Sequence, residues 1–191
     1  MNLFRIFIIA FLIDNVVLMR FLALCPFIGM STDEDKSVGM GLAVTFVTVL
    51  ATCVTWPVYK LILEPLGLVF LQILAFILVI ASLVQLVEFY LKKAVPGLYN
   101  TMGIYLALIT TNCAILAVTL DNISNGYTLI ESIVYALGAA LGFLLSMLLL
   151  AGIRRRIRTS PVPAFLKGTP ILFVSACLLS IAFMGFSGLV K

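Results

Sequence analysis

Four cysteines and no histidine define the chemistry open to this chain. Without an imidazole there is no histidine base for a nucleophile, no histidine-ligated haem and no mixed Cys/His zinc site. The thiols are Cys25, Cys53, Cys113 and Cys177. Two have distinctive neighbours. Cys25 precedes Pro26, which removes a backbone donor and disturbs a helix. Cys113 follows Thr110-Thr111-Asn112, three polar residues inside an apolar run. Three readings stand open for such a pair. Buried cysteines are commonly inert packing residues. Two thiols that meet can form a disulfide. They can also supply half of an iron–sulfur site, which takes four thiolates, so a second chain has to provide two more. The 88-residue interval between Cys25 and Cys113 matches no local ferredoxin motif. Cys53, in Ala51-Thr52-Cys53-Val54, and Cys177, in Ser175-Ala176-Cys177-Leu178, have no flanking proline or polar run and read as helix-packing residues.

Asp14, Arg20 and Glu88 lie within or at the edge of apolar runs, where each costs about 2.5–3.5 kcal/mol at a helix centre on insertion scales. Asp14-Asn15 is the deepest pair. It reads either as a foothold for a cation or proton, or as an interhelical polar contact with an ion pair to Arg20. One acidic residue makes a poor cation cage. Gly39-Met40-Gly41 is no dinucleotide loop, because Val44 stands where the third glycine belongs and no strand precedes it.

The elements that position these residues are membrane helices. Hydrophobic residues make up 63% of the 191 residues and charged ones 10%, and mean hydropathy is +1.25. Soluble domains have about 45–50% and about 25%, so this chain has too little polar surface to face water. A spanning helix needs about 20 apolar residues. Six segments qualify: Leu3–Leu24, Val38–Leu61, Gly67–Leu91, Leu98–Leu120, Thr128–Ile153 and Thr169–Val190. The expected fold is an all-α integral membrane protein, one membrane domain over residues 1–191. The Leu22-Ala23-Leu24-Cys25 stretch mimics a lipoprotein cleavage site. Leu24 is too large for it, and Asp14, Asn15 and Arg20 interrupt the apolar core a signal peptide needs, so residues 1–24 read as a retained membrane segment.

The six spans divide into three-helix halves, about residues 1–95 and 96–191. Each half opens with a cysteine beside a disruptive residue and continues into a glycine-bearing span, Val38-Gly39-Met40-Gly41 and Leu137-Gly138-Ala139-Ala140-Leu141-Gly142. An odd number of spans per half gives the halves opposite orientations, the layout of an inverted repeat with broken helices near the midplane. The expected breaks lie near Cys25, where Pro26 interrupts the helix and Phe27–Met30 re-enters, and near Cys113. Gly138 and Gly142 form a small-xxx-small face for close helix contact.

Several segments closely resemble a known family. Phe21-Leu22-Ala23-Leu24-Cys25-Pro26-Phe27, Leu108-Ile109-Thr110-Thr111-Asn112-Cys113-Ala114 and Phe183-Met184-Gly185-Phe186-Ser187-Gly188-Leu189-Val190 resemble the A subunits of Rnf complexes, the ion-translocating ferredoxin:NAD oxidoreductases of bacterial membranes. The likeness extends over the whole chain. The E subunits of sodium-translocating NADH:quinone oxidoreductases are similar too. The resemblance implies a bacterial inner-membrane protein that pairs with a homologous, oppositely oriented Rnf partner, the E-type subunit. The pair shares one [2Fe–2S] cluster, two cysteines from each, and the matching positions here are Cys25 and Cys113. It further implies partnership with the B, C, D and G subunits of the Rnf complex, which carry the flavins, the NADH site and the ferredoxin-type clusters, and translocation of Na+ or H+. No complete active site is expected on this chain alone, and its surroundings are lipid, not nucleic acid. Two other functions compete: a small inverted-repeat secondary transporter, and a cofactor-free membrane scaffold. A transporter calls for a fuller set of intramembrane ligands than Asp14, Asn15, Thr110, Thr111 and Asn112. A scaffold needs no thiol at both breaks.

Charge placement predicts topology. Lys36, Lys92, Lys93, Arg154, Arg155, Arg156, Arg158 and Lys167 fall on one side, and Arg5, Lys60 and Lys191 on the other. By the positive-inside rule the first side is cytoplasmic and both termini are external. A reporter fused after Lys191 is expected to signal an external C-terminus, and a cytoplasmic signal would contradict this orientation.

Overall fold

The computed structural model describes residues 3–31, 34–67, 69–94, 108–161, 163 and 166–185. Among them every regular element is helical. Helix α1 covers Leu3–Ile13, its last turn widened to π geometry from Ile9, and α2 covers Leu24–Met30. Helix α3 covers Glu34–Val58 and continues through a π turn at Tyr59–Leu63. Then come α4, Gln72–Ala94, α5, Cys113–Ser124, α6, Leu129–Arg158, and α7, Thr169–Met184.

Three of the expected spans appear as helices long and apolar enough to cross a bilayer: Ser37–Leu63, Gln72–Phe89 and Leu129–Arg158. The other three correspond to shorter apolar helices, Leu3–Ile13, Leu108–Ser124 and Thr169–Met184. The loop expected at Arg154–Gly168 begins only after Arg158, because Arg155, Arg156 and Arg158 occupy the last turn of α6, where cations favour the negative end of the helix dipole. Residues 34–37, expected in a loop, open α3, and Asp121, expected to start a turn, is still helical. The N-terminal part of the expected Leu98–Leu120 span and the end of Thr169–Val190 lie outside the described residues.

The core forms where α1, α3 and α5 gather around α6. It contains Met40, Val44 and Val47 of α3, Ile115 and Val118 of α5, and Ala136, Ala139, Phe143 and Met147 of α6. The small-residue face of α6 performs as its spacing suggests. A Cβ on Gly138 would lie 2.9 Å from the Phe7 carbonyl oxygen and 2.9 Å from the Ala10 Cβ, and one on Gly142 would lie 2.8 Å from the Phe11 carbonyl oxygen. Backbone touches backbone at these two points. Buried threonines Thr48, Thr52 and Thr55 of α3 each return their hydroxyl to the carbonyl four residues earlier, so they bring no unpaired polar group into the core. The start of α6 is fixed by a capping box between Thr128 and Glu131.

The break in the first span is the main departure from expectation. Pro26 does not cause it. The helix stops at Ile13 and the chain stays non-helical over Asp14–Ala23. Pro26 is the third residue of the new helix α2, in a first turn where its missing N–H has no intrahelical acceptor to lose. The prolyl ring therefore starts a helix here. The whole first span is one broken element, α1–break–α2.

Gly142→Ala is expected to destabilise the fold by about 1–3 kcal/mol through overpacking against the α1 backbone. Gly152→Ala, where a Cβ would meet nothing within 4 Å, is expected to be neutral or slightly stabilising. Thermal unfolding of the two variants in detergent checks this, and an equal effect at both positions would contradict it.

Candidate functional site

The break has to satisfy every exposed amide and carbonyl inside an apolar bundle. Asn15, fully buried, satisfies two of these groups and ties the break to α6. Its Oδ1 accepts from the Val17 N–H at 3.1 Å and the Leu18 N–H at 3.4 Å. Its Nδ2 donates to the Gly142 carbonyl at 3.0 Å and the Ser146 Oγ at 2.8 Å on α6. The Met19 N–H donates to the Asn15 carbonyl, and the Leu22 N–H to that of Val16. Ser180 of α7 donates its hydroxyl to the Leu18 carbonyl at 2.6 Å.

The chain then turns through two non-glycine residues at positive φ, Phe21 at 52° and Ala23 at 60°. Left-handed backbone costs an L-residue roughly 1–2 kcal/mol. Its result is local and specific: the Ala23 N–H donates to the Cys113 Sγ at 2.8 Å. Two residues further on, Cys25 enters the first turn of α2. Cys113 is the first residue of α5, after a second and shorter break. There Thr111 forms a turn and Asn112 caps the helix, its side chain accepting from the Ala114 N–H at 3.0 Å. The sequence places breaks near both cysteines, and the structure has each thiol in the first turn after one. It also joins the two breaks through sulfur. Both thiols are free and exposed on the chain's surface. Beside Cys113 an apolar cavity of about 280 Å³ opens between Ile77, Ile80 and Ala81 of α4 and Leu116 of α5.

The remaining thiols divide. Cys53 is half-buried on α3, as a packing residue should be. Cys177 is exposed on α7, so it does not pack within this chain. Its neighbours Ser175 and Ala176 take the buried face instead. Among the described residues no three Cys, Asp or Glu side chains converge in a metal-holding group. Any metal held at Cys25 and Cys113 would therefore need ligands beyond the described residues. The donor set fits half an iron–sulfur site: two accessible thiols, a backbone N–H aimed at one sulfur, and apolar surroundings.

Asp14 is paired. Arg20 reaches its Oδ2 at 3.1 Å and the Asp121 Oδ2 at 2.7 Å. The buried Tyr135 hydroxyl lies 3.2 Å from the Asp14 oxygen and 3.3 Å from the Asp121 oxygen. A hydroxyl has one hydrogen to donate, so the two carboxylates share it, while the guanidinium binds both. The partnership with Arg20 is one of the two expected for Asp14, whereas Asp121 and Tyr135 were not legible as its neighbours. The signal available was Asp121 itself, a carboxylate at the end of an apolar span with no basic neighbour in sequence. Glu88 is half-buried on α4.

Arg20→Gln is expected to destabilise more than Asp14→Asn, because it leaves two carboxylates sharing one hydroxyl. Adding Asp121→Asn to Arg20→Gln should recover part of the loss, with a coupling of about 0.5–3 kcal/mol in a thermal-unfolding double-mutant cycle. Strict additivity would contradict the network.

The family described as "Rnf-Nqr subunit, membrane protein" matches residues 3–190. The chain is 54% identical over 189 residues to the A subunit of the Na(+)-translocating ferredoxin:NAD(+) oxidoreductase complex of Acetobacterium woodii, covering 99% of this chain and 98% of that protein. It is 53% identical over 189 residues to the A subunit of the ion-translocating oxidoreductase complex of Syntrophotalea carbinolica, with the same coverage. Against the protein so named from Cereibacter sphaeroides it is 52% identical over 188 residues, covering 98% and 97%.

Proposed function

Because the chain belongs to the Rnf-Nqr family of membrane subunits, we propose that it is the A-type subunit of an ion-translocating ferredoxin:NAD oxidoreductase complex, and that Cys25 and Cys113 provide half the ligands of a [2Fe–2S] cluster. The homologous E-type subunit, inserted in the opposite orientation, supplies the other half, and the B, C, D and G subunits complete the complex. The setting is the bacterial inner membrane, both termini are external, and the translocated ion is Na+ or H+. Relatives named as the A subunits of such complexes support the assignment. The observation that carries the site is the Ala23 N–H on the Cys113 sulfur. It brings together the two breaks at which the thiols sit, although 90 residues of chain separate its partners.

A cluster bound at Cys25 and Cys113 would supply one-electron transfer within the membrane. This chain's residues prepare the place for it. The breaks leave both sulfurs at the surface, available to a shared group. The Ala23 N–H donates to sulfur, and such hydrogen bonds help set a cluster's potential. Cys113 also lies at the positive end of the α5 dipole, which favours negative charge close by. Ile77, Ile80 and Leu116 give the Cys113 side an apolar lining, next to Thr110, Thr111 and Asn112. The two halves of the chain act as an inverted repeat, with the cysteine-bearing breaks as matching features, and six spans in all.

A transporter working alone fits less well. The polar residues of the first break are engaged in its own construction: Asn15 with backbone and Ser146, Asp14 with Arg20 and Tyr135.

The chain produced alone is expected to be colourless, and its coproduction with the homologous partner should yield the absorbance of a [2Fe–2S] centre. In the full complex Cys25→Ser or Cys113→Ser should abolish ferredoxin-driven NAD reduction, since oxygen is a poor substitute for thiolate on iron. Cys53→Ala and Cys177→Ala should retain it. Activity surviving the first pair of changes, or lost in the second, would overturn the assignment.

A further inference from the structure

The basic end of α6 is more than a topology anchor. It and the start of α7 flank a half-open cavity of about 550 Å³. Arg154, Arg158 and Lys167 line it together with Ser160 and Thr169, and none of its described lining residues is acidic. From these features we infer that the cavity binds a phosphate-bearing anion, most suitably the headgroup of an anionic phospholipid.

Three observations converge on this. The first is charge: three cationic side chains line one half-open cavity. A guanidinium presents paired N–H donors that match two phosphate oxygens. The second is the backbone. Helix α7 runs for 16 residues, and its N-cap is Gly168, which has no side chain to cap with. Pro170 has no N–H and does not line the cavity, whereas Thr169, Ile171 and Leu172 do. The first-turn amides that can donate thus belong to the residues beside the cavity, where a helix favours anions. The third is depth. Helix α6 has 30 residues and so runs about 45 Å, against about 30 Å of hydrocarbon. Its last turn carries Arg155, Arg156 and Arg158 and projects into the headgroup layer, where basic pockets between helices recognise lipid phosphates. The apolar part of the wall, Ile28, Ile157 and Leu172, suits the glycerol and first acyl carbons of a lipid better than a free ion.

The cavity is joined to the cysteine-bearing break. The Arg154 Nη1 donates to the Ile28 carbonyl at 3.0 Å and to the Ser31 Oγ at 3.2 Å. Ile28 lies in α2 and Ser31 is its C-cap. The half-helix that begins beside Cys25 is therefore held at its other end by a cavity-lining arginine. An anion in the cavity neutralises the cluster of like charges around this anchor and stabilises the seat of α2.

The test uses the intact membrane complex in nanodiscs of phosphatidylcholine alone, phosphatidylcholine with phosphatidylglycerol, or phosphatidylcholine with millimolar inorganic phosphate. Unfolding midpoints and native mass spectrometry are the readouts. Phosphatidylglycerol is expected to raise the midpoint and to be retained by the wild-type complex. Arg158→Gln with Lys167→Gln should lose both effects, and the charge-conserving Arg158→Lys with Lys167→Arg should keep them. If the double glutamine variant does not assemble, Lys167→Gln alone should need several-fold more phosphatidylglycerol for the same shift. An equal gain from inorganic phosphate assigns the site to the free anion. Equal gains in wild type and glutamine variants, or no anion-dependent shift and no retained lipid in the wild type, would overturn the inference.

Discussion

A stretch of unwound chain inside an apolar bundle has to pair every backbone group it exposes, and the architecture of this protein follows from how Asp14–Ala23 meets that demand. Asn15 carries the largest share. One side-chain amide accepts from two backbone N–H groups of the break and donates to a carbonyl and a hydroxyl of α6. The arrangement requires α1 to lie against α6 with no side chain between them, which Gly138 and Gly142 permit. It also requires a donor from α7, which Ser180 provides. The break is thus built from three helices far apart in sequence.

Once the break is secured, its direction matters. The positive φ at Phe21 and Ala23 is strain kept at a specific place, and such strain concentrates at functional positions. Here it aims one amide at the sulfur of Cys113 and delivers Cys25 into a new helix. The charges of the first span stand to one side of this. Arg20 binds Asp14 and Asp121 and so ties the break to the end of α5, the helix that starts with Cys113. Both ends of α5 are therefore attached to the broken segment, by N–H···S at one end and by an ion pair at the other.

The main features were legible because they are compositional or periodic. Long apolar runs gave the helices, Gly138 and Gly142 gave the close contact, and Thr110-Thr111-Asn112 announced the second break. The first break was expected from Pro26 and exists, but for a different reason. A proline in a first turn is silent in energy terms, whereas an asparagine that accepts from two backbone N–H groups of the break and donates to α6 stabilises an unwound chain, and one residue in isolation does not reveal which carbonyls it will meet. The same limit hid Tyr135 and Asp121 as partners of Asp14, because they become neighbours only once α5 and α6 are packed. Arg154–Arg158 was legible as charge but not as helix, since cations in a last turn and cations in a loop have the same composition.

We propose that the thiols exposed at the two breaks hold a cluster that no single chain can complete. Iron and acid-labile sulfide content, measured with EPR of the reduced complex, tests it most directly when Cys25→Ser and Cys113→Ser are combined and assembly is verified by subunit stoichiometry. The double variant is expected to lose one cluster's iron and sulfide per complex and one [2Fe–2S] signal, with the centres on other subunits unchanged. Full iron content and an unaltered spectrum in a correctly assembled double variant would contradict it and return both cysteines to packing.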